Sequence, residues 1–135
     1  MNDDGDGGGD DDRVDGADGV ALALRLAAAV EAGERETDAL GVVDEATGVE
    51  PTADGAFAYA IDRHETRLAE VAVHPDRIHV EFLTAPDRAA GAAADADLRV
   101  RPKAVRPPRT LVFVESPDEI EAALDVLDAV AGTLE

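Results

Sequence analysis

The sequence predicts an α+β fold, a two-layer sandwich in which helices pack on one face of a mainly antiparallel, four-stranded sheet. Two segments, 18–32 and 117–131, have apolar residues at helical spacing, as helices with one buried face do. Four shorter segments either alternate along the chain or are rich in β-branched and aromatic residues. The predicted strands are 56–61, 68–73, 78–83 and 111–115.

Length and composition predict one domain that follows an N-terminal tail. The chain has 135 residues, an ordinary size for a single domain. Its first residues are almost entirely Gly and Asp, so the segment has almost no apolar surface to bury. We therefore expect a disordered acidic tail over 1–16 and an α+β domain over 17–135.

The segment 18–32 predicts a helix that ends at Gly33. It carries few charged residues, so the helix is expected to be buried or to pack against a partner. A weaker helix is expected over Thr37–Thr47, although Gly41 lies in its middle. Two short helices in succession are also found in helix-turn-helix proteins. The acidic residues of the second helix disfavour that interpretation, because a recognition helix needs basic or amide side chains.

The strand at 56–61 is predicted from alternation along the chain. Phe57, Tyr59 and Ile61 fall on one face and three alanines on the other. Tyr59 is therefore expected in the core. The polar segment 62–66 is expected to turn the chain toward the next strand.

The next two strands are predicted to form a hairpin around the loop His74–Arg77, in which Pro75 suits a turn. Apolar residues then face each other on one side of the hairpin, and that side is expected to be dry. The other side is expected to be mostly wet. The predicted pairs are Val73–Ile78, Val71–Val80 and Ala69–Phe82 on the dry side, and Ala72–His79 and Glu70–Glu81 on the wet side.

The C-terminal third predicts a connection, an extended segment and a strand–helix unit. The Ala-rich stretch 84–97 is expected to form a short helix from Pro86 that packs loosely on the surface. Residues 98–101 are expected to add a short edge strand. The apolar run 111–115 suits a central strand. Ser116 is expected to cap the last helix through its hydroxyl, with Glu119 completing a capping box.

Charge is the strongest global property of the chain. Acidic residues outnumber basic ones 31 to 12, the net charge is −19, and Lys103 is the single lysine. The apolar content is mostly Ala and Val. This composition resembles that of proteins from halophilic archaea that accumulate salt in the cytoplasm. The resemblance implies a habitat and no activity, and salt would screen the self-repulsion of such a surface.

Several chemistries are excluded or disfavoured by the residue types. The chain has no cysteine, which excludes disulfides and thiolate sites. The single serine, Ser116, lies outside any nucleophile motif. His64 and His74 are expected to be exposed turn residues, so no metal site and no cofactor are predicted. No long apolar run or secretion signal is present, so we expect a cytoplasmic protein without membrane contact.

A local basic segment is the one feature that suggests a ligand. Its functional interpretation is contact with phosphates, and the alternative is pairing with acidic residues of the same chain. Nucleic-acid binding is disfavoured, because the electrostatic attraction would be lost at high salt and no aromatic residue interleaves the segment to stack on bases. The candidate ligand-binding residues are Arg99, Arg101, Lys103, Arg106 and Arg109.

Two functions follow as expectations. The preferred one is a non-enzymatic binding or interaction module with an unknown protein partner or a second copy of the chain, through the helix 18–32 or a free sheet face. The absence of any catalytic constellation in the sequence favours it, and an enzyme remains a third, less favoured expectation. The alternative is a protein that binds a phosphate ligand or associates with nucleic acid through 99–109.

Overall fold

The computed structural model describes residues 18–33 and 40–134, and the predicted tail 1–16 lies outside these ranges. None of the helices in the described part is long and apolar enough to cross a membrane. The elements in chain order are α1 (Gly19–Ala32), β1 (Leu40–Val43), β2 (Ala56–Arg63), β3 (Thr66–Val73), β4 (Ile78–Phe82), α2 (Pro86–Asp95), β5 (Arg99–Lys103), β6 (Arg109–Val114), a 3₁₀ turn (Pro117–Glu119) and α3 (Ile120–Gly132).

The strands form an antiparallel sheet in the order β1-β2-β3-β4-β6-β5. The fold is α+β, as predicted, but the sheet has six strands where four were expected. The four predicted strands are the inner ones. The edge strand expected at 98–101 is confirmed as β5, and the second edge strand, β1, was not predicted.

Strand β1 corrects the helix predicted over Thr37–Thr47. Leu40–Val43 pairs with β2, where Val42 lies opposite Ile61. Gly41 lowers helix propensity, and the valines beside it favour a strand. Pairing with β2 therefore outweighs the weak helical spacing. The predicted start of that helix, residues 37–39, lies outside the described ranges.

Helix α1 is confirmed over nearly its predicted length. The side chain of Asp18 accepts hydrogen bonds from the backbone N–H groups of Val20 and Ala21, at 2.9 and 3.3 Å, and so caps the helix. Gly33 ends it in the left-handed conformation, with φ of 65°. The residues that α1 buries are Gly19, Leu22, Ala23, Leu26 and Val30.

The start of α1 lies directly on the β3–β4 loop. The Gly19 N–H donates to the Pro75 carbonyl at 3.2 Å. A Cβ added at Gly19 would lie 1.8 Å from the carbonyl oxygen of His74 and 2.7 Å from that of Arg77. Only glycine allows the helix to approach the loop this closely.

The predicted hairpin register of β3 and β4 is confirmed at all five pairs. The predicted facing of β2 is confirmed for Tyr59 and Ile61, which lie in the core, and is wrong for Phe57. Phe57 pairs with Ala72 and Tyr59 pairs with Val71, with a bulge between the two pairs. The bulge reverses the alternation, so Tyr59 points into the core and Phe57 lies on the opposite face.

Helix α2 is better packed than its composition predicted. Ala89 and Ala93 are fully buried, and the helix contacts α3, β5 and β6. The Thr110 hydroxyl donates to the Pro86 carbonyl at 2.8 Å and ties the start of α2 to the sheet. Methyl groups suffice here because they allow two helices and a sheet to approach closely.

The capping box predicted at Ser116 forms only in part. The Ser116 side chain makes no capping hydrogen bond, and a 3₁₀ turn precedes α3. The Glu119 carboxylate accepts from the Glu115 N–H at 2.7 Å, so the reciprocal half of the motif is present, one residue earlier than predicted.

The core lies between the three helices and one face of the sheet. We call that face the helix-covered face and the opposite one the open face. The largest fully buried side chains on the helix-covered side are Phe82, Leu22, Leu26, Ile61, Leu68, Ile78, Leu124 and Leu127.

Candidate functional site

Two rows of side chains cross the open face from strand to strand. In each row, every residue is the cross-strand partner of the next. The first row is Ala60, Glu70, Glu81, Leu111 and Arg101. The second row is Phe57, Ala72, His79, Phe113 and Arg99.

A buried pair of histidines lies at the end of this face where the loop joins β3 and β4. His74 and His79 are only 4% and 7% exposed. His74 Nε2 lies 2.8 Å from His79 Nδ1, and His74 Nδ1 lies 2.9 Å from the Ala53 carbonyl oxygen. Gly55 covers the pair so closely that an added Cβ would lie 2.8 Å from His79 Cε1.

These contacts assign the protons when both rings are neutral. The Ala53 carbonyl can only accept, so His74 Nδ1 carries the proton and donates to it. His74 Nε2 is then an acceptor, and His79 donates to it from Nδ1. His79 Nε2 is therefore left with a lone pair, and it lies 3.9 Å from Glu81 Oε1.

Glu81 is the shared anion of the open face. It is 8% exposed, and its carboxylate accepts hydrogen bonds from two cations. Arg109 donates at 2.6 Å, and Lys103 donates to both oxygens at 3.2 and 3.1 Å. A mostly buried carboxylate requires such partners, so these contacts hold the cluster in place.

Burial and neighbouring charges shift the pKa values of both acceptors. Burial is the largest cause and, together with the nearby His74, lowers the pKa of His79 to about 4, although Glu81 opposes the shift. Burial alone would raise the pKa of Glu81, but the hydrogen bonds from Arg109 and Lys103 outweigh it, so that pKa is lowered. Near neutral pH, His79 is thus uncharged and Glu81 is ionised.

Phe113 packs beside the histidines and close to two guanidinium groups. Its ring lies edge-on to His79, with centroids 5.7 Å apart. The guanidinium carbons of Arg77 and Arg99 lie 5.5 and 5.8 Å from its centroid. These cation–π contacts bring two more positive charges to this part of the sheet.

An open groove of about 460 Å³ runs beside the cluster. Its lining includes His79, Glu81, Lys103, Arg101, Phe57 and Leu111. The groove therefore combines acceptors, cations and an apolar patch, which is the usual composition of a small-ligand site.

The five basic residues predicted as ligand-binding differ in their ion pairs. Arg99 pairs with Glu115 at 3.4 Å, while Lys103 and Arg109 hold Glu81. These three pair within the chain, as the alternative interpretation expected. Arg101 and Arg106 are exposed and pair with no acid among the described residues, and only Arg101 lines the groove.

Sequence reasoning missed His74, His79 and Glu81 as parts of one cluster. His74 was expected to be an exposed turn residue, and it is buried. The predicted hairpin register did place His79 and Glu81 on one face, two residues apart. Phe113 and Gly55 pack against the histidines, and Lys103 and Arg109 cover Glu81. Sequence spacing does not report contacts with segments so far away in the chain.

A second surface lies on the side of the sheet that carries the helices. A cleft of about 200 Å³ runs between α1 and the loop after β1, lined by apolar side chains that include Val20, Leu24, Val49 and Tyr59. The Tyr59 hydroxyl donates to the Ala23 carbonyl at 2.6 Å, and burial raises the pKa of that hydroxyl. Leu24 is 67% exposed and Val20 37% exposed.

Metal binding finds no support in the described ranges, where no group of three or more His, Asp or Glu residues is placed to hold an ion. Glu81 is the best-placed carboxylate, but it already accepts from two cations. A metal ion there would be repelled by Lys103 and Arg109.

A protein-family model matches most of the chain. The model of a family of unknown function, DUF7993, matches residues 11–135. No curated protein and no solved structure matches the chain.

Proposed function

Because the chain belongs to the DUF7993 family, which brings no function with it, we propose one from the geometry: a non-enzymatic interaction module that forms a homodimer through the exposed face of α1. The observation that carries the proposal is Leu24, a large apolar side chain 67% exposed on a surface helix. Leu24 lines an apolar cleft together with Val20 and Val49, and contiguous apolar surface of this kind marks contact sites.

Charge favours a second copy as the partner. The chain carries −19, so two copies repel each other over most of their surfaces. The exposed face of α1 has one cation, Arg25, and one anion, Glu31, and therefore no net charge. Two copies can approach there without bringing acidic residues together.

The spacing of these two charges also fits a twofold axis. In an antiparallel pair of α1 helices with the axis at Ala28, Arg25 of one copy lies beside Glu31 of the other, and the reverse contact is identical. Leu24 then lies opposite Ala32, whose small side chain allows close approach. The ion pairs would set the register, while the covered leucines supply most of the affinity.

The mass in solution tests this proposal. We expect a dimer in about 2 M KCl, where charge repulsion is screened. Leu24→Glu should weaken the dimer by at least about tenfold. Val105→Glu adds the same charge at a side chain that is 40% exposed in the β5–β6 loop, and it should leave the dimer unchanged.

Charge reversal tests the register. Arg25→Glu alone should weaken the dimer, and Arg25→Glu combined with Glu31→Arg should restore it. A wild-type protein that stays monomeric at all concentrations, or a dimer indifferent to Leu24→Glu, would rule out this contact.

We further propose that the protein works in the salt-rich cytoplasm of a halophile. The excess of acidic residues and the near absence of lysine support this. The free energy of unfolding should then rise with KCl up to molar concentrations. At 1 M the Debye length is about 3 Å, so salt screens the repulsion between the acidic side chains. Equal stability in dilute and in molar KCl would contradict the proposal.

A further inference from the structure

We propose that the groove on the open face binds a small organic acid that carries hydroxyl groups, about the size of a six-carbon sugar acid. This site is separate from the proposed dimer surface, since α1 lies on the other side of the sheet. The inference stands on the side chains that converge on the groove.

The cation for the carboxylate is Arg101, because Lys103 already donates to Glu81 at 3.1 Å. Arg101 is exposed at the groove and pairs with no acid among the described residues. Glu70 is already paired with Arg67, and Glu81 with Lys103 and Arg109. Arg101 is therefore the groove-lining cation that is left for an anion.

Acceptors for the hydroxyl groups come from His79 and Glu81. His79 Nε2 carries a lone pair in the neutral pair of rings, and Glu81 Oε1 lies 3.9 Å from it. Donors of the ligand placed beside both atoms can hydrogen-bond to each. A neutral hydroxyl suits this place better than an ammonium group, because Lys103 and Arg109 already lie at Glu81.

The spacing of the strands sets the distance between the acceptors at Glu81 and the cation Arg101. Glu81, Leu111 and Arg101 lie on three successive strands, so their backbones span about 10 Å. Leu111 lies between the acceptors and the cation, and Phe57, 42% exposed, lines the same groove. A carbon chain with a carboxylate at one end and hydroxyls along it matches this order.

Three ligands of similar size test separately whether the carboxylate and the hydroxyl groups are needed for binding. Gluconate has both the carboxylate and the hydroxyls, hexanoate lacks the hydroxyls, and glucose lacks the charge. We expect gluconate to bind to the full-length protein with a dissociation constant of about 1 mM, and the other two at least about tenfold more weakly. Calorimetry at about pH 8 measures all three, since His79 is neutral there.

Ring nitrogen resonances of ¹⁵N-labelled histidine supply a second readout on the unaltered protein. Gluconate should shift the His79 Nε2 resonance, because a ligand hydroxyl would donate to that atom, and should leave His64 in its exposed turn unchanged. Hexanoate should leave both unchanged.

Arg101 and Arg106 form a matched pair of variants. Both are exposed, and only Arg101 lines the groove. Arg101→Glu should weaken gluconate binding by at least about tenfold, and Arg106→Glu should change it by less than about twofold.

Four results would overturn the proposal: no gluconate binding, hexanoate or glucose binding as tightly as gluconate, equal losses from both arginine variants, or a His79 resonance that does not move. None of these outcomes depends on the oligomeric state. Failure of this site and failure of the dimer can therefore be told apart.

Discussion

The two faces of the sheet are built in different ways. On the helix-covered face, aliphatic side chains and methyl groups from three helices fill the space between the layers. On the open face, polar groups are buried beside apolar ones, and each polar group depends on partners, as Glu81 depends on Lys103 and Arg109. The first face should therefore govern stability, while the second can respond to protons and ligands.

The largest effect is expected where α1 lies on the β3–β4 loop. Gly19→Ala would place a Cβ 1.8 Å from the His74 carbonyl oxygen, so the helix or the loop must move. We expect a loss of about 4 kcal/mol or more in the free energy of unfolding, measured with urea. Gly91→Ala is the control: nothing lies near its added Cβ, and it should stabilise α2 by about 0.5–1 kcal/mol. Equal effects of the two variants would show that α1 does not depend on this contact.

Two leucines on opposite faces compare the two sides directly. Leu127 is fully buried under the helices, and Leu111 is half-buried beside the groove. Leu127→Ala should cost about 3 kcal/mol, since it removes buried surface and leaves a cavity. Leu111→Ala should cost about 1 kcal/mol, because its site is already open to solvent. Equal losses would mean that the open face is as tightly packed as the core.

The same difference explains which parts of the molecule the sequence could predict. Apolar spacing predicted α1, α3 and the inner strands, because burial on the helix-covered face leaves a periodic pattern. The register of β3 and β4 followed from pairing apolar residues, and it is confirmed. Periodicity failed at β1 and at the β2 bulge, where pairing with a distant strand decides the conformation.

The candidate site was predictable only in part. The basic segment was recognised, but the partners that divide it into structural and exposed cations lie on other strands. Glu81 was predicted opposite Glu70 and expected to be wet, and it is buried under Lys103 and Arg109. Such contacts join residues far apart in sequence, so no local pattern reports them.

Acid should destabilise the open face before the core. The pKa of His79 is about 4 in the folded protein and about 6.5 in the unfolded chain. As pH falls from 6.5 toward 4, the unfolded ring takes up a proton and the folded ring does not, so the free energy of unfolding decreases. The groups that set this pKa are His74, Glu81, Lys103 and Arg77.

The loss from His79 alone should reach about 2–3 kcal/mol, measured as the free energy of unfolding at several pH values. His79→Gln should flatten the profile between these limits, and His64→Gln, in an exposed turn, should not. The lowered pKa of Glu81 adds a further loss at more acidic pH, as its carboxylate takes up a proton. A profile unchanged by His79→Gln would mean that the ring is already charged in the folded protein.

The smallest predicted effects on stability distinguish a structural cation of the open face, Arg109, from one that is available to a ligand, Arg101. Arg109→Ala removes the 2.6 Å hydrogen bond to a mostly buried carboxylate, and Lys103 remains as its other partner. We expect a loss of about 1.5 kcal/mol in the free energy of unfolding. Arg101→Ala should change stability by less than about 0.5 kcal/mol, because the side chain is exposed and pairs with no acid among the described residues. If Arg101→Ala proved as costly as Arg109→Ala, Arg101 would be a structural cation rather than one available to a ligand. The groove would then lose the charge on which its proposed selectivity depends.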